Sequence, residues 1–470
     1  MYKQSLKIVV LLTISVLITA FSIHVGIFWD NVLFVSKMGN HLYQSHPFGL
    51  RVPDAFDPGH PPFIAVLMSM SWDFFGKSLS VSHWLMFPFV FGLLWQLYSL
   101  IMQFIPNEKD RVWAFLLVLA DPSLLSQLIQ VTPETIQLFF FFGALNGYLR
   151  ENSLSKTFFL AMLGIVSYRG MMMCLGILMI EVVDFFFIKK GKLKQFVTTR
   201  LFFEYFIGAL PAGLYVVWRL ATKGWITSNP LEVWGNAWDF DGPADFFLNL
   251  LRNSVVLIHR FMDFGRLTIL VFIGVVLITK RKQIDWNKHA RPIIIFLFST
   301  FVVYATSLMI KNTMGHRYYI ASYLVISLLA FMFLEYVKNR KLFFSLMFFS
   351  LIGGNFIVYP DKIAQGWDSS LAHLPYWKLR KEAIGYIDHH SVIPIDSTAS
   401  FFPNITSIDN VDMDGDLRQF IPFTGNEKQV FYSNVYNLSD KEFEILDAGY
   451  VKDTVFERCQ VRIVVYRKKQ

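Results

Sequence analysis

The sequence predicts a polytopic α-helical membrane protein of about eleven transmembrane helices with a small extracytoplasmic α/β domain at its C-terminal end. Three observations predict it. Of 470 residues, 54% are hydrophobic and only 17% charged, with a mean hydropathy of +0.43, a balance suited to lipid rather than water. Apolar runs of about twenty residues, the length that crosses a hydrocarbon core, recur up to residue 360. The basic residues fall in short clusters between those runs, where they orient helices.

The candidate spans are 6–28, 82–105, 111–130, 133–149, 157–168, 170–188, 201–221, 266–279, 292–310, 319–336 and 342–359. The first follows Lys3 and Lys7 in the manner of a signal peptide. It is too long for one, and Trp29-Asp30 stands where a small-residue cleavage site would, so it reads as a retained helix. Segments 157–168 and 170–188 are either two short helices reversing at Ser167-Tyr168-Arg169-Gly170 or one long kinked helix, and charge decides between them. With two helices, Lys3/Lys7, Lys109/Arg111, Arg150/Lys156, the cluster from Lys189 to Arg200, the cluster from Lys280 to Arg291, and Lys338/Arg340/Lys341 all fall on one face, which the positive-inside rule makes cytoplasmic. With one helix, the last three clusters would sit outside.

The opposite face then receives the long loops 29–81 and 222–265, short turns at 121–132, 167–170 and 311–318, and everything after Pro360. Loops on a rigid scaffold carry function, so the working surface is expected there. Pro61 to Phe75 suits a helix lying in the interface, and Trp225, Trp234 and Trp238 suit an aromatic belt. Composition changes at Asp361-Lys362, dividing the chain into a membrane part, 1–360, and an α/β domain, 361–470. In the latter, Tyr376 to His389 reads as an amphipathic helix, Val430 to Tyr432 and Arg462 to Tyr466 as strands, and Ser439 with Glu442 as a capping box. The formal charge of +8 is accounted for by the orienting clusters, which argues against nucleic acid as a partner. Two cysteines, Cys174 and Cys459, make no disulfide framework.

Several polar residues at the outer face stand out. Asp30 directly follows the first span, marking either the helix exit or a site. Asp57-Pro58-Gly59-His60-Pro61-Pro62 makes a rigid turn, and Asp121-Pro122 and Thr132-Pro133-Glu134 add two carboxylates that are equally suited to capping helices. Arg169, Lys311, His316 and Arg317 lie in short outer turns where the orientation rule disfavours cations. Their compensating charge is either a phosphate or one of Asp30, Asp121 and Glu134. Carboxylates beside phosphate-seeking cations at one membrane surface fit glycosyl transfer from a lipid-linked sugar: a carboxylate takes the acceptor proton, and the cations stabilise the departing phosphate.

In motif order these residues resemble the GT-C-fold integral membrane glycosyltransferases of the protein O-mannosyltransferase and lipid A aminoarabinose transferase type, also labelled family 39 or RgtA-like. Asp30 falls at the family's acid after the first helix. The run Asp57 to Pro62 is similar to its first-loop segment with paired prolines, and Thr132-Pro133-Glu134 to the acid opening its fourth helix. Ser167-Tyr168-Arg169-Gly170 is similar to its basic-Gly turn, and His316-Arg317-Tyr318-Tyr319 to its Arg-Tyr motif. Asn31 stands where many members have a second acid, which weakens the case for a metal at the first loop; Glu134 replaces the more usual Asp and keeps the carboxylate.

The resemblance implies inverting transfer of a monosaccharide from a polyprenyl-phosphate donor to a hydroxyl of a cell-envelope glycan, lipid or protein. It implies an enzyme of the plasma (inner) membrane with a cytoplasmic N-terminus. Asp30 would be the base, with Glu134 the second catalytic carboxylate. Arg169 and Arg317 would hold the donor phosphate, with Lys311 and His316 as further candidates for it. Glu134 and Asp121 would orient the acceptor or Arg169, while Asp57 and His60 would shape the mouth of the site. No metal is assigned; a divalent cation on His60, Asp57 and Glu134 is allowed but not demanded by their spacing. A transporter or flippase of lipid-linked saccharides is the alternative, disfavoured because the charges cluster at one face and mid-helix positions are nearly all apolar.

Overall fold

The computed structural model describes residues 2–45, 50–196, 199–227, 229, 231, 240–307, 310–311, 315–413 and 415–469. The expected Trp234 and Trp238 lie outside the described residues. Helix α1 is Tyr2–Ser22, shorter than the apolar run that encodes it. Residues 25–28 stay apolar but leave the helix: the Ile27 N–H bonds the Val411 carbonyl at 2.8 Å, and the Val25 carbonyl pairs with His83 Nε2 at 2.7 Å. Tertiary hydrogen bonding thus ends a helix that hydropathy alone would continue.

The first long loop holds α2 (Met38–Ser45) and α3 (Phe63–Phe75), followed by α4 (Leu79–Phe104), which Ser78 caps through the Val81 N–H. Helices α5 (Glu108–Leu119) and α6 (Pro122–Leu128) meet at 79°, a bend set at Asp121-Pro122. Next come α7 (Pro133–Leu149), α8 (Ser153–Val166) and α9 (Tyr168–Val183). Between the last two, Ser167 is extended (φ −166°, ψ 164°), and its hydroxyl accepts the Gly170 N–H. Lys156 on α8 reaches Glu181 on α9 at 2.9 Å, so the two helices run back to back rather than as one kinked rod. A side chain on Gly170 would meet the Leu163 carbonyl oxygen at 2.1 Å, which explains glycine at the reversal.

The bundle continues with α10 (Leu193–Phe196), α11 (Thr199–Lys223), α12 (Pro243–Met262), α13 (Leu267–Lys280), α14 (Trp286–Ser307), α15 (Ile320–Phe333) and α16 (Arg340–Gly354). Helices α12 and α13 meet at 91° around Asp263–Arg266. Gly265 takes φ +82° there, and any Cβ on it would lie 2.0 Å from the Ser350 carbonyl oxygen. Each of the eleven expected spans thus contains a helix. Among the described residues, five helices are singly long and apolar enough to cross a membrane, or up to seven when each bent pair forms one span. Phenylalanines pack α7 into the centre, Phe139 and Phe140 against Phe159 of α8 and Phe89 of α4.

After the bundle, α17 (Pro375–His390) packs on a five-stranded sheet ordered β2-β1-β3-β5-β4. Its strands are β1 (Ala399–Ser400), β2 (Ile421–Pro422), β3 (Gln429–Ser433), β4 (Tyr450–Arg458) and β5 (Val461–Lys468). Strand β1 is parallel to β2 and β3, whereas β5 is antiparallel to β3 and β4, with Tyr432 opposite Val464. Short helices α18 (Pro403–Thr406) and α19 (Ile408–Asp412) follow β1. Helix α20 (Asp440–Gly449) starts with the expected capping box of Ser439 and Glu442. Trp377 of α17 lies edge-on to Phe28, joining the sheet to the end of the bundle where the first loop begins.

Candidate functional site

The residues singled out after the first span, at the start of the fourth and in the two short turns meet around one guanidinium. Beyond α1, Trp29 takes φ +52° and turns the chain, and the Asp30 carbonyl then accepts the N–H groups of Leu33 and Phe34 at the start of a π-helical turn, Val32–Lys37. This leaves the Asp30 carboxylate facing Arg317. A second short turn, His316–Tyr319, opens α15 and carries Arg317. Its Nη2 bonds Asp30, its Nη1 donates to Asp368 Oδ2 at 2.7 Å, and its Nε lies 3.4 Å from Glu134 Oε1.

Glu134 sits in the first turn of α7 because Thr132 caps that helix and Pro133 pre-forms its backbone. Its Oε1 also receives Arg169 Nη1 at 3.0 Å, while Thr132 Oγ1 bonds Oε2. The Arg169 guanidinium lies flat over the Tyr318 ring, 3.5 Å from its centroid, where the ring face favours a cation. Three carboxylates thus surround two guanidiniums, leaving one excess negative charge. Of the three, Asp30 is the most open at 28% exposure, against 7% for Glu134 and 14% for Asp368.

His60 borders this cluster, its ring 5.0 Å from Phe34 and 5.5 Å from Tyr168. Burial, reinforced by the charge of Arg169, depresses its pKa to about 3. It is therefore a neutral ring at ordinary pH and adds no cation to the site. Asp57 is held away from it by α11: Arg219 Nη2 reaches Asp57 Oδ1 at 3.1 Å, Lys223 Nζ reaches Oδ2 at 3.5 Å, and the Gly59 N–H closes a tight turn onto Oδ1. The Asp57–Pro62 turn is thereby clamped to the far end of α11.

Three residues lie elsewhere than expected. Asp121 does not reach Arg169; it caps α6 and forms a two-pronged bond with Arg266, Nε to Oδ2 at 2.7 Å and Nη2 to Oδ1 at 2.9 Å. Both are almost fully buried, so burial of Arg266 demands that carboxylate. Lys311 pairs with Asp245 at 2.9 Å and Asp241 at 3.5 Å near the start of α12. His316, although adjacent to Arg317, turns to Asp263, Nε2 to Oδ2 at 2.8 Å. Of the two readings of the outer cations, these contacts follow pairing with carboxylates. Asp57 and Glu134 have cationic partners of their own, and they do not converge with His60 into a cation site.

Sequence reasoning missed Asp368, whose carbonyl accepts bonds from Ser126, Gln127 and Gln130 of the α6 region while its carboxylate meets Arg317. It sits in Trp367-Asp368-Ser369, a polar stretch without pattern, and nothing local distinguishes it from a solvent-exposed acid. Tyr318 was legible only as part of the Arg-Tyr pair.

No protein-family model and no curated protein matches the sequence. Solved structures of ArnT from Cupriavidus metallidurans do match the fold. The one bound to undecaprenyl phosphate aligns with a TM-score of 0.56 at 9% identity over 97% of each chain. The apo state aligns with a TM-score of 0.55, also at 9% identity, over 98% of each. The likeness spans the bundle and the C-terminal sheet together, so the chain has the GT-C-type architecture of a polytopic membrane protein.

Proposed function

We propose that the chain is a membrane glycosyltransferase that moves a monosaccharide from a polyprenyl-phosphate donor to an extracytoplasmic acceptor hydroxyl with inversion. The observation that carries this reading is Arg317 gripped by Asp30, Glu134 and Asp368, with Arg169 on the same Glu134, in a chain folded like a protein solved with undecaprenyl phosphate. The Arg317 fork suits a phosphate as well as it suits carboxylates. Because the cluster already holds excess negative charge, a donor phosphate displaces a carboxylate from Arg317 rather than adding to the set.

Asp30, the most exposed of the three, is the one displaced and the one an acceptor reaches. In the reaction the acceptor O–H gives its proton to Asp30 as its oxygen attacks the anomeric carbon. The bond from that carbon to the phosphate oxygen breaks on the opposite face, and its electron pair leaves with the phosphate, held by Arg317 and Arg169. Glu134, locked by Thr132 and both arginines, positions the cations. In this reading the cluster faces the side opposite the cytoplasm, residues 361–470 form a domain on that side, and the chain resides in the plasma (inner) membrane. No step requires a metal ion at these residues.

Asp30→Asn tests it: the folded variant should lose transfer from a polyprenyl-phosphate sugar by roughly 10²–10⁴-fold, the range for removing a general base. Undiminished transfer would remove Asp30 from the chemistry.

A further inference from the structure

Beside the Arg317 cluster lies a second group with different chemistry. We propose that His259, Asp263 and His316 form a binding site for a borderline transition-metal dication of the Zn²⁺ class. Their ligand atoms all lie within 4.8 Å of one another, the one such His/Cys/Asp/Glu group found among the described residues. His259 and Asp263 are one turn apart at the end of α12, and His316 comes from the turn that opens α15.

The donor set selects the ion. Two imidazoles and one carboxylate suit Zn²⁺ or Co²⁺ and leave a fourth position for water, whereas Mg²⁺ and Ca²⁺ prefer oxygen throughout. Asp263 is already oriented for this role, since its Oδ1 accepts the Tyr359 hydroxyl at 2.6 Å and the Phe264 N–H at 2.7 Å, leaving Oδ2 directed at the histidine. Such outer partners fix a metal-binding carboxylate in place. His316 is fully buried and its Nε2 already faces Asp263 Oδ2 at 2.8 Å, so an ion would take the place of the proton these two atoms share. His259 is exposed, so the group is open on that side. Arg260 and Arg266 oppose a cation here, and of the two Arg266 is paired with Asp121. A bound ion would staple the end of α12 to the residue next to Arg317.

The test is binding itself, independent of any sugar transfer. The full chain, purified with a tag free of histidine, is titrated with Co²⁺ and dialysed against Zn²⁺. The wild type should take up about one ion per chain and give the visible absorption bands of four-coordinate Co²⁺, which Zn²⁺ abolishes. His259→Ala, and His259→Asn as a second variant, should lose both signals while keeping the wild-type circular dichroism. His389→Ala/His390→Ala, an exposed pair elsewhere, should retain them. Equal uptake by wild type and the His259 variants, or no uptake by wild type at sub-millimolar metal, overturns the proposal.

Discussion

The guanidinium of Arg317 and the carboxylate of Asp368 meet at 2.7 Å across 51 positions of the chain. That bond ties the segment after the last bundle helix to the turn that opens α15. Asp368→Asn keeps the backbone carbonyl that α6 holds but removes the charge. We expect kcat for transfer to fall about 10- to 100-fold as Arg317 loses its aim, with donor KM unchanged or lower because a competing carboxylate is gone. Steady-state kinetics in detergent measure the split; an unchanged kcat would show that Asp368 does not position Arg317.

Arg317→Lys keeps the charge and loses the fork. A lysine reaches one carboxylate where the guanidinium reaches three, so kcat/KM should fall at least about 100-fold, the scale of losing a placed donor to developing charge. Rescue of activity by lysine would mean that a point charge suffices at this position.

Asp121→Ala strands Arg266 in a site where both partners are almost fully buried. The expected cost is about 3–5 kcal/mol of stability, since an unpaired buried charge outweighs the pair's own contribution. The double variant Asp121→Ala/Arg266→Met should lose much less than the sum of the single changes. Thermal melts of the purified proteins decide, and simple additivity would mean the two side chains are not energetically coupled.

Gly265→Ala combines a left-handed backbone (φ +82°) with a Cβ 2.0 Å from the Ser350 carbonyl oxygen. Neither can relax without parting α16 from the turn between α12 and α13. A loss of at least about 2 kcal/mol is expected, from steric overlap plus strain. A melting temperature equal to wild type would show that this close approach is not required.

His60 makes the pH prediction. Its folded pKa of about 3 lies below the 6.5 of an ordinary imidazole, so the unfolded chain binds a proton that the folded chain refuses. Its contribution to stability is therefore complete above pH 6.5 and is lost progressively as pH falls toward 3. His60→Asn should flatten the dependence of thermal stability on pH between those limits. An identical pH dependence in wild type and variant would place the imidazole in solvent.

Much of this was legible because the relevant residues break rules that sequence makes visible. The orientation rule assigns the cations at 169 and 317 to short turns that should lack them, and the acids at 30 and 134 flank apolar runs, so the sequence alone groups all four at one surface. Which acid meets which cation could not be read. Asp121 and Glu134 look alike before a proline-started helix and after one, but only packing sends Arg266 to the first and Arg169 to the second. The end of α1 was misjudged for a related reason, since residues 25–28 are apolar whether they span lipid or pack under Trp377. Strand β4 was missed because it is an edge strand, exposed at Lys452, Glu457 and Arg458 and shifted in register between Lys452 and Thr454, which blurs the alternation that β5 shows through Val461 and Ile463.

The contact between residues 317 and 368 also bears on biosynthesis. Translation delivers the arginine before its third counter-ion, so a nascent bundle holds an incompletely balanced cation until the segment beyond α16 has emerged and folded back over α6. Completion of this cluster therefore waits on the segment that follows α16, and a chain whose C-terminal part fails to fold would leave the guanidinium without that carboxylate.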